Sequence, residues 1–348
     1  MRQPRHSRPF TPRRGPFRGR LVAGLLSLVL LAFMAPAVAF AHPIPEDGKM
    51  VGWQVEDATQ VAMQGKVTFR YDPDLATEAG ILLDNIPAWW SQIETQLGSD
   101  VDDTLSIHFV KHSGGVADAT GMPDWAAGVA NPPRGEIIIA QHSPNGAAAD
   151  LESLLRHEMV HVALHRAVGG NKVPRWFHEG VADSIGDEVS FWRFRDMGSA
   201  VFGGRIVPIE EIDAQFRSDA QSVSFAYAAS RDFVSHLRWR DGEGDEFRHL
   251  IAELEHGRRF NAAVLRAYGE TLTALDSEWR GGLFARFSWY PMLEGGSMGL
   301  PVVFMVPLVA MAWVRRRKVL KLAWDRMEAA EQAERQARMT RQQTMVSA

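Results

Sequence analysis

His157 and His161 stand four residues apart, with Glu158 beside the first, in Leu154-Leu155-Arg156-His157-Glu158-Met159-Val160-His161. Residues four apart on an α-helix lie one above the other on the same face. Both imidazoles can therefore reach a single metal ion from one rigid element. Glu158 points toward the same side, close enough to act on water held by that ion without ligating it. This His-Glu-x-x-His spacing is the arrangement of zinc hydrolases. The flanks are apolar almost all round (Leu151, Leu154, Leu155, Met159, Val160, Val162, Leu164), as a buried helix requires. With 12 His in 348 residues, a chance match arises in roughly a few per cent of such chains. Its position inside a helix-length apolar segment, with a second Glu-bearing segment after it, weighs against chance.

The residues downstream narrow the third ligand. A third His six residues past His161, with Gly three past it, would complete one known ligand set. Leu164 and Ala167 occupy those places, so that set is excluded. His165 lies two turns from His157, about 12 Å along a helix axis, too far for all three imidazoles to share an ion. Glu179 is the better candidate. Gly169-Gly170 stop the first helix and Pro174 suits the first turn of the next, which places Glu179 inside that second helix. Two His and one Glu leave a fourth position open for water, as a catalytic site needs. The bland alternative for Glu179 is a solvated helix carboxylate.

His157-Glu158-x-x-His161 followed by Trp176-x-x-Glu179-Gly180 resembles the gluzincin branch of zinc metallopeptidases, in particular the peptidase MA-like domains. The resemblance implies an α+β, thermolysin-like core: a small mixed sheet with an edge strand above the active-site helix, then a helical lobe carrying the Glu ligand. It implies Zn2+ as cofactor, bound by His157, His161 and Glu179, with Glu158 catalytic. In that family a carboxylate one turn after the Glu ligand often supports a zinc-binding His, and Asp183 matches the position. A ligand imidazole commonly donates its other N–H to such a carboxylate, which fixes its tautomer. The alternative for Asp183 is a plain helix-surface residue. A downstream Tyr or His donates to the oxyanion in related proteins. Tyr227, in Tyr-Ala-x-Ser-x-x-Phe-Val, matches that role, with a buried structural Tyr as the alternative.

Around these residues the chain alternates elements before turning helical. Val67–Tyr71, Thr104–Val110 and Gly135–Ala140 read as strands, and Leu75 to Leu97 as an amphipathic helix. The active-site helix starts near Asp150. Further helices are expected from Ser224, over Glu246–Leu254 and over Leu272–Trp279. By the resemblance, which covers most of residues 60–285, either Gly128–Asn131 or Glu136–Ala140 is the sheet edge that pairs with an extended peptide. An ordinary core strand is the alternative for either.

The ends of the chain differ from its middle. Residues 1–20 carry seven Arg and no acid, Leu21 to Phe40 is apolar, and Ala39-Phe40-Ala41 is a small-x-small cleavage site. Residues 1–41 therefore read as a secretory signal peptide, with an uncleaved anchor as the alternative. Residues 295–314 form a 20-residue stretch without a charge, long enough to cross a bilayer as a helix. Arg315-Arg316-Arg317-Lys318 follow at once and mark a cytoplasmic tail over 315–348. Of 38 Lys and Arg, seven precede Leu21 and nine follow Val314; of 42 Asp and Glu, none and four do. That leaves 22 basic and 38 acidic residues between, a net of −16. Such an acidic region is a poor nucleic-acid binder. The absence of Cys excludes thiolate ligands, thiol nucleophiles and disulfides.

The expected organisation is a 42–294 extracytoplasmic domain held to the inner membrane by one span. The expected function is a membrane-anchored metallopeptidase acting on a peptide or protein. Nothing resembles the acidic anchor by which related aminopeptidases hold a free N-terminus, which favours an endopeptidase. The competing reading is a non-catalytic zinc-binding scaffold or chaperone regulating a membrane partner; the intact Glu158 argues against it.

Overall fold

The computed structural model describes residues 53, 55, 58–122, 126–143, 146, 148–186 and 191–291. The expected signal peptide, membrane span and tail lie outside them. No helix among the described residues is long and apolar enough to cross a membrane.

The first half is a five-stranded mixed sheet in the order β1-β2-β3-β5-β4. Its strands are β1 (Gln60–Gln64), β2 (Val67–Tyr71), β3 (Leu105–His112), β4 (Gly128–Asn131) and β5 (Glu136–His142). β1 pairs antiparallel with β2, β2 and β5 run parallel to β3, and β4 pairs antiparallel with β5. Helix α1 (Ala76–Leu97) makes the crossover from β2 to β3. Its buried residues Ala79, Leu82, Leu83, Ile86, Trp89, Trp90, Ile93 and Leu97 fall at helical spacing and form one apolar face.

The two faces of the sheet separate residue by residue, as the two-residue period of a strand demands. Ile137 and Ile139 of β5 join α1 and the metal-motif helix in the main core. Ile138 and Ala140 turn to a smaller cluster with Val116 of α2 (Ser113–Thr120). Residues 136–140 are buried because α1 and the metal-motif helix cover one face and α2 the other, while β3 and β4 pair both edges of β5. The edge is therefore β4, and Glu136–Ala140, the other stretch expected as a possible edge, is internal.

Helix α3 (Leu151–Ala167) carries His157, Glu158 and His161 and is capped by Asp150, which accepts from the Ser153 amide. Helix α4 (Arg175–Gly186) follows and carries Glu179 and Asp183. Both are buried over most of their length. α5 (Phe191–Phe202) and a short α6 (Ile212–Gln215) lead to α7 (Ala220–Trp239), which packs against α4. At their contact α4 presents Gly180, where a Cβ would stand 2.5 Å from the Ser230 carbonyl oxygen. Any side chain there would force α7 off the helix that holds Glu179.

α8 (Asp245–Glu255), α9 (Phe260–Tyr268) and α10 (Leu272–Phe287) complete the helical half. α10 runs past the expected end at Trp279, because Leu283 and Phe287 beyond Gly281-Gly282 are still buried. Strand β1 and helices α2, α5, α6 and α9 were not expected from sequence.

The start of α4 is fixed from outside the helix. Asp213 accepts from the backbone N–H groups of Trp176, at 2.7 Å, and Arg175, at 3.2 Å. These are orphan donors of a first helical turn, and a carboxylate there also suits the helix dipole. Asp213→Ala is expected to cost about 0.5–2 kcal/mol of stability, as the loss of a good cap does. Thermal unfolding of the variant beside wild type measures this; an unchanged midpoint would remove Asp213 from the positioning of α4.

Candidate metal centre and its surroundings

His157 and His161 project from one turn of α3 to the next with ring planes 88° apart and Nε2 atoms 3.1 Å apart. Glu179, from α4, brings Oε2 to 3.7 Å from His161 Nε2 and 3.9 Å from His157 Nε2. The sequence-predicted ligands thus converge from two helices, and one ligand atom from each lies within 4.8 Å of the others.

The donor set fits a divalent ion. Two ligands at roughly 2.0–2.2 Å from a tetrahedral zinc are separated by about 3.4 Å, and the three observed separations of 3.1, 3.7 and 3.9 Å bracket that spacing. Both Glu179 carboxylate oxygens are buried and accept no hydrogen bond. A buried carboxylate in that condition is costly unless a cation meets it; Arg175 Nε stands 3.7 Å from Oε1, while Oε2 faces the two imidazoles where an ion would sit.

Asp183 sits one turn beyond Glu179, with Oδ1 3.1 Å from His157 Nδ1. That contact holds a proton on Nδ1, so Nε2, on the side of Glu179 and His161, is the nitrogen that would give up its proton to ligate an ion. Arg193, from α5, lies on the other carboxylate oxygen of Asp183, its Nε 3.0 Å from Oδ2. The same guanidinium lies 4.8 Å from the ring centre of Tyr227. Tyr227 is fully buried in α7, its ring edge-on to Phe216. A continuous path therefore runs from Tyr227 through Arg193 and Asp183 to the His157 ring.

Glu158 is completely buried beneath the edge strand. A Cβ on Gly128 of β4 would stand 3.0 Å from Glu158 Oε1 and 2.8 Å from Leu154 Cδ1. The absence of a side chain at 128 is what allows the edge strand to lie directly over this carboxylate.

Charges in the cluster are strongly coupled. Burial raises Glu158 to about 8 and Glu179 to about 7, against the opposing pull of His157. Burial works against the His157 imidazolium, but the Asp183 hydrogen bond and charge, with Glu158 and Glu179, outweigh it and raise His157 to about 9. Burial also disfavours the Asp183 anion, yet Arg193 and His157 hold its carboxyl well below the usual range.

Two residues around the centre carried no usable signal in the sequence. Arg193 lies fourteen residues past Glu179, and no helical or strand period links them. His178 stands next to Glu179 and stacks on the His161 ring, with centroids 4.4 Å apart and planes at 7°. Burial and nearby positive charge lower His178 to about 3, so it meets His161 as a neutral ring. His165 does not join the cluster.

A model of the peptidase MA superfamily matches residues 91–285, from the middle of α1 to near the end of α10. The chain belongs to the peptidase MA superfamily. No curated protein is a match for it. The match spans β3, β4, β5 and both motif helices, so the superfamily's metallopeptidase-like fold encloses the whole His157–His161–Glu179 cluster. Zinc dependence is typical of the peptidase MA superfamily.

Asp183 is expected to act on the metal through His157. Asp183→Asn keeps an acceptor and removes the charge, and a roughly 10–100-fold loss of zinc affinity is the usual result of such a change. Competition with a chromophoric chelator measures it; an unaltered affinity would show that Asp183 does not support the ligand.

Proposed function

We propose that this chain is a zinc-dependent endopeptidase, anchored in the cytoplasmic membrane with its catalytic domain on the extracytoplasmic side. The observation that carries the reading is the buried convergence of the His157, His161 and Glu179 ligand atoms beside Glu158. A zinc ion held by those three residues supplies Lewis acidity, which acidifies water and polarises a carbonyl.

The remaining chemistry belongs to the protein. Glu158 takes the proton of the attacking water and delivers it to the departing amine, acting first as base and then as acid. Asp183 orients His157 through Nδ1. β4 is one of the two terminal strands of the sheet among the described residues, opposite β1, and lies over Glu158. An extended peptide adding to its outer edge is bound by its backbone, which suits hydrolysis within a chain. Tyr227 is assigned as a donor to the developing oxyanion. Tyr227→Phe is expected to lower kcat with zinc content unchanged; an unaltered kcat would leave Tyr227 as a core residue only.

The anchored topology rests on the uncharged 295–314 stretch, the Arg315–Lys318 cluster and the net −16 between the basic ends. The test of function is zinc content measured together with cleavage of an unfolded protein by the purified full chain. One zinc per chain with internal cleavage supports the endopeptidase. One zinc without cleavage favours the scaffold reading, and neither would reject both.

A further inference from the structure

The end of the helical half carries an exposed aromatic surface that the candidate site does not use. Phe202 of α5 is 41% exposed, Phe284 of α10 is 66% exposed and Trp289 just beyond α10 is 48% exposed. Their ring contacts form two groups. Phe202 lies 5.6 Å from Phe284 and stacks on Tyr290 at 5.9 Å. Phe194 stacks at 4.7 Å on both Phe287 and Trp289.

The base of this surface is rigid. The buried Tyr290 ring rests on Gly198 of α5, where a Cβ would come within 2.1 Å of it. The two groups meet at the consecutive residues Trp289 and Tyr290, and exposed aromatic rings gathered in this way mark an interaction surface. Its place in the chain says which kind. Five residues after Tyr290 begins the uncharged 295–314 stretch, with Arg315–Lys318 behind it. Five residues reach at most about 17 Å, so a chain entering a bilayer at Gly295 keeps these rings close to the lipid headgroups. Trp and other amphipathic or apolar rings are favoured at that depth.

We propose that the surface formed by Phe202, Phe284 and Trp289 docks onto the headgroup region of the bilayer that residues 295–314 enter, and so fixes the orientation of the domain. This rests on the anchored topology proposed above. The docking is coupled to the site by α5. Phe202 is nine residues from Arg193, about 13.5 Å along the helix, and Arg193 holds Asp183. A domain seated on these rings therefore has its metal centre at a set height above the membrane.

The chain has no cysteine, so a single introduced thiol is unique. Full-length Phe202→Cys and Phe284→Cys, each carrying a nitroxide, are reconstituted into phosphatidylcholine–phosphatidylglycerol liposomes. Exposed Met63→Cys on β1 and Leu265→Cys on α9 serve as aqueous references. Collision with oxygen is expected to dominate over collision with a water-soluble nickel chelate at 202 and 284, and the reverse at 63 and 265. Labels at 202 and 284 as open to nickel as the references, on protein that floats with the liposomes, would overturn the docking and leave the anchor standing. Protein that fails to float would overturn both. Spin–spin broadening at 284 would show a second copy on the surface instead of lipid, and would also overturn the proposal. Unlabelled protein gives an independent reading: quenching of Trp fluorescence by brominated lipids is expected to fall in Trp289→Phe relative to wild type, and equal quenching would count against docking.

Discussion

Glu158→Gln is expected to bind zinc as wild type does and to lose nearly all turnover. Gln has almost the size and shape of Glu, so it fills the same buried space beneath β4 at Gly128. What disappears is the ability to accept and return a proton. General acid–base groups contribute roughly 10²–10⁴-fold, and kcat/KM is expected to fall by that order. Stability is expected to hold or rise, because burial already disfavours the Glu158 carboxylate and raises it to about 8. A neutral amide avoids that cost. Steady-state cleavage, zinc analysis and thermal unfolding of one preparation report all three. A Gln variant with wild-type turnover would take Glu158 out of the mechanism; a variant without zinc would mean that Glu158 belongs to the ligand set.

Removing the ion or its carboxylate ligand should have the second large effect. Glu179→Ala is expected to weaken zinc binding by more than the roughly 10–100-fold typical of an outer-shell partner, and to abolish turnover with it. The metal-free wild type should also show a distinctive pH dependence. Glu158 and Glu179 lie at about 8 and about 7 in the folded protein, above their ordinary 4.5. Above pH 4.5 the unfolded chain has lost protons that the folded chain retains, so stability falls as pH climbs toward 8. His157, raised from 6.5 to about 9, acts in the same direction: its contribution is complete below 6.5 and is lost as pH rises through 9. Asp183, depressed, contributes a constant amount throughout this window. His108 and His178, lowered by burial to about 4 and about 3, oppose this trend below pH 6.5 and are neutral in both states above it. The metal-free midpoint should therefore decline from pH 6.5 to 9, and zinc should stabilise most at the alkaline end, where binding releases fewest protons. Scanning calorimetry of chelated and zinc-loaded protein across that range decides this. A metal-free midpoint that rises with pH would contradict the arrangement of charges described here.

How much was legible in the sequence depended on whether the information was local. The His157–His161 spacing states a helical geometry outright, since four residues is nearly one turn. Glu179 was reachable because Gly169-Gly170 and Pro174 mark the break between two helices, and a helix–turn–helix returns the second element to the first. Ile137–Ala140 is an apolar run of the kind a strand covered on both faces shows, but so short a run does not state its place in the sheet. The choice between Gly128–Asn131 and Glu136–Ala140 as the edge was settled by the strand order, with β5 inside and β4 outside.

Other features are tertiary and leave no periodic mark. Asp213 reaches the start of α4 from thirty-seven residues away in sequence. Arg193 meets Asp183 and Tyr227 only because α5 folds back across α4 and α7. α10 continues past the expected end at Trp279 and through Gly281-Gly282, because burial of Leu283 and Phe287 carries the helix on. Tertiary packing overrides local propensity there.

The central claim is that three side chains from two helices hold one ion beside a buried acid. Anomalous diffraction at the zinc edge from crystals of the zinc-loaded protein tests it most directly. The account predicts a single strong peak at roughly 2.0–2.2 Å from His157 Nε2, His161 Nε2 and a Glu179 oxygen, with Glu158 outside the coordination shell. A peak at another set of residues, or a peak ligated by Glu158 in place of Glu179, would contradict it.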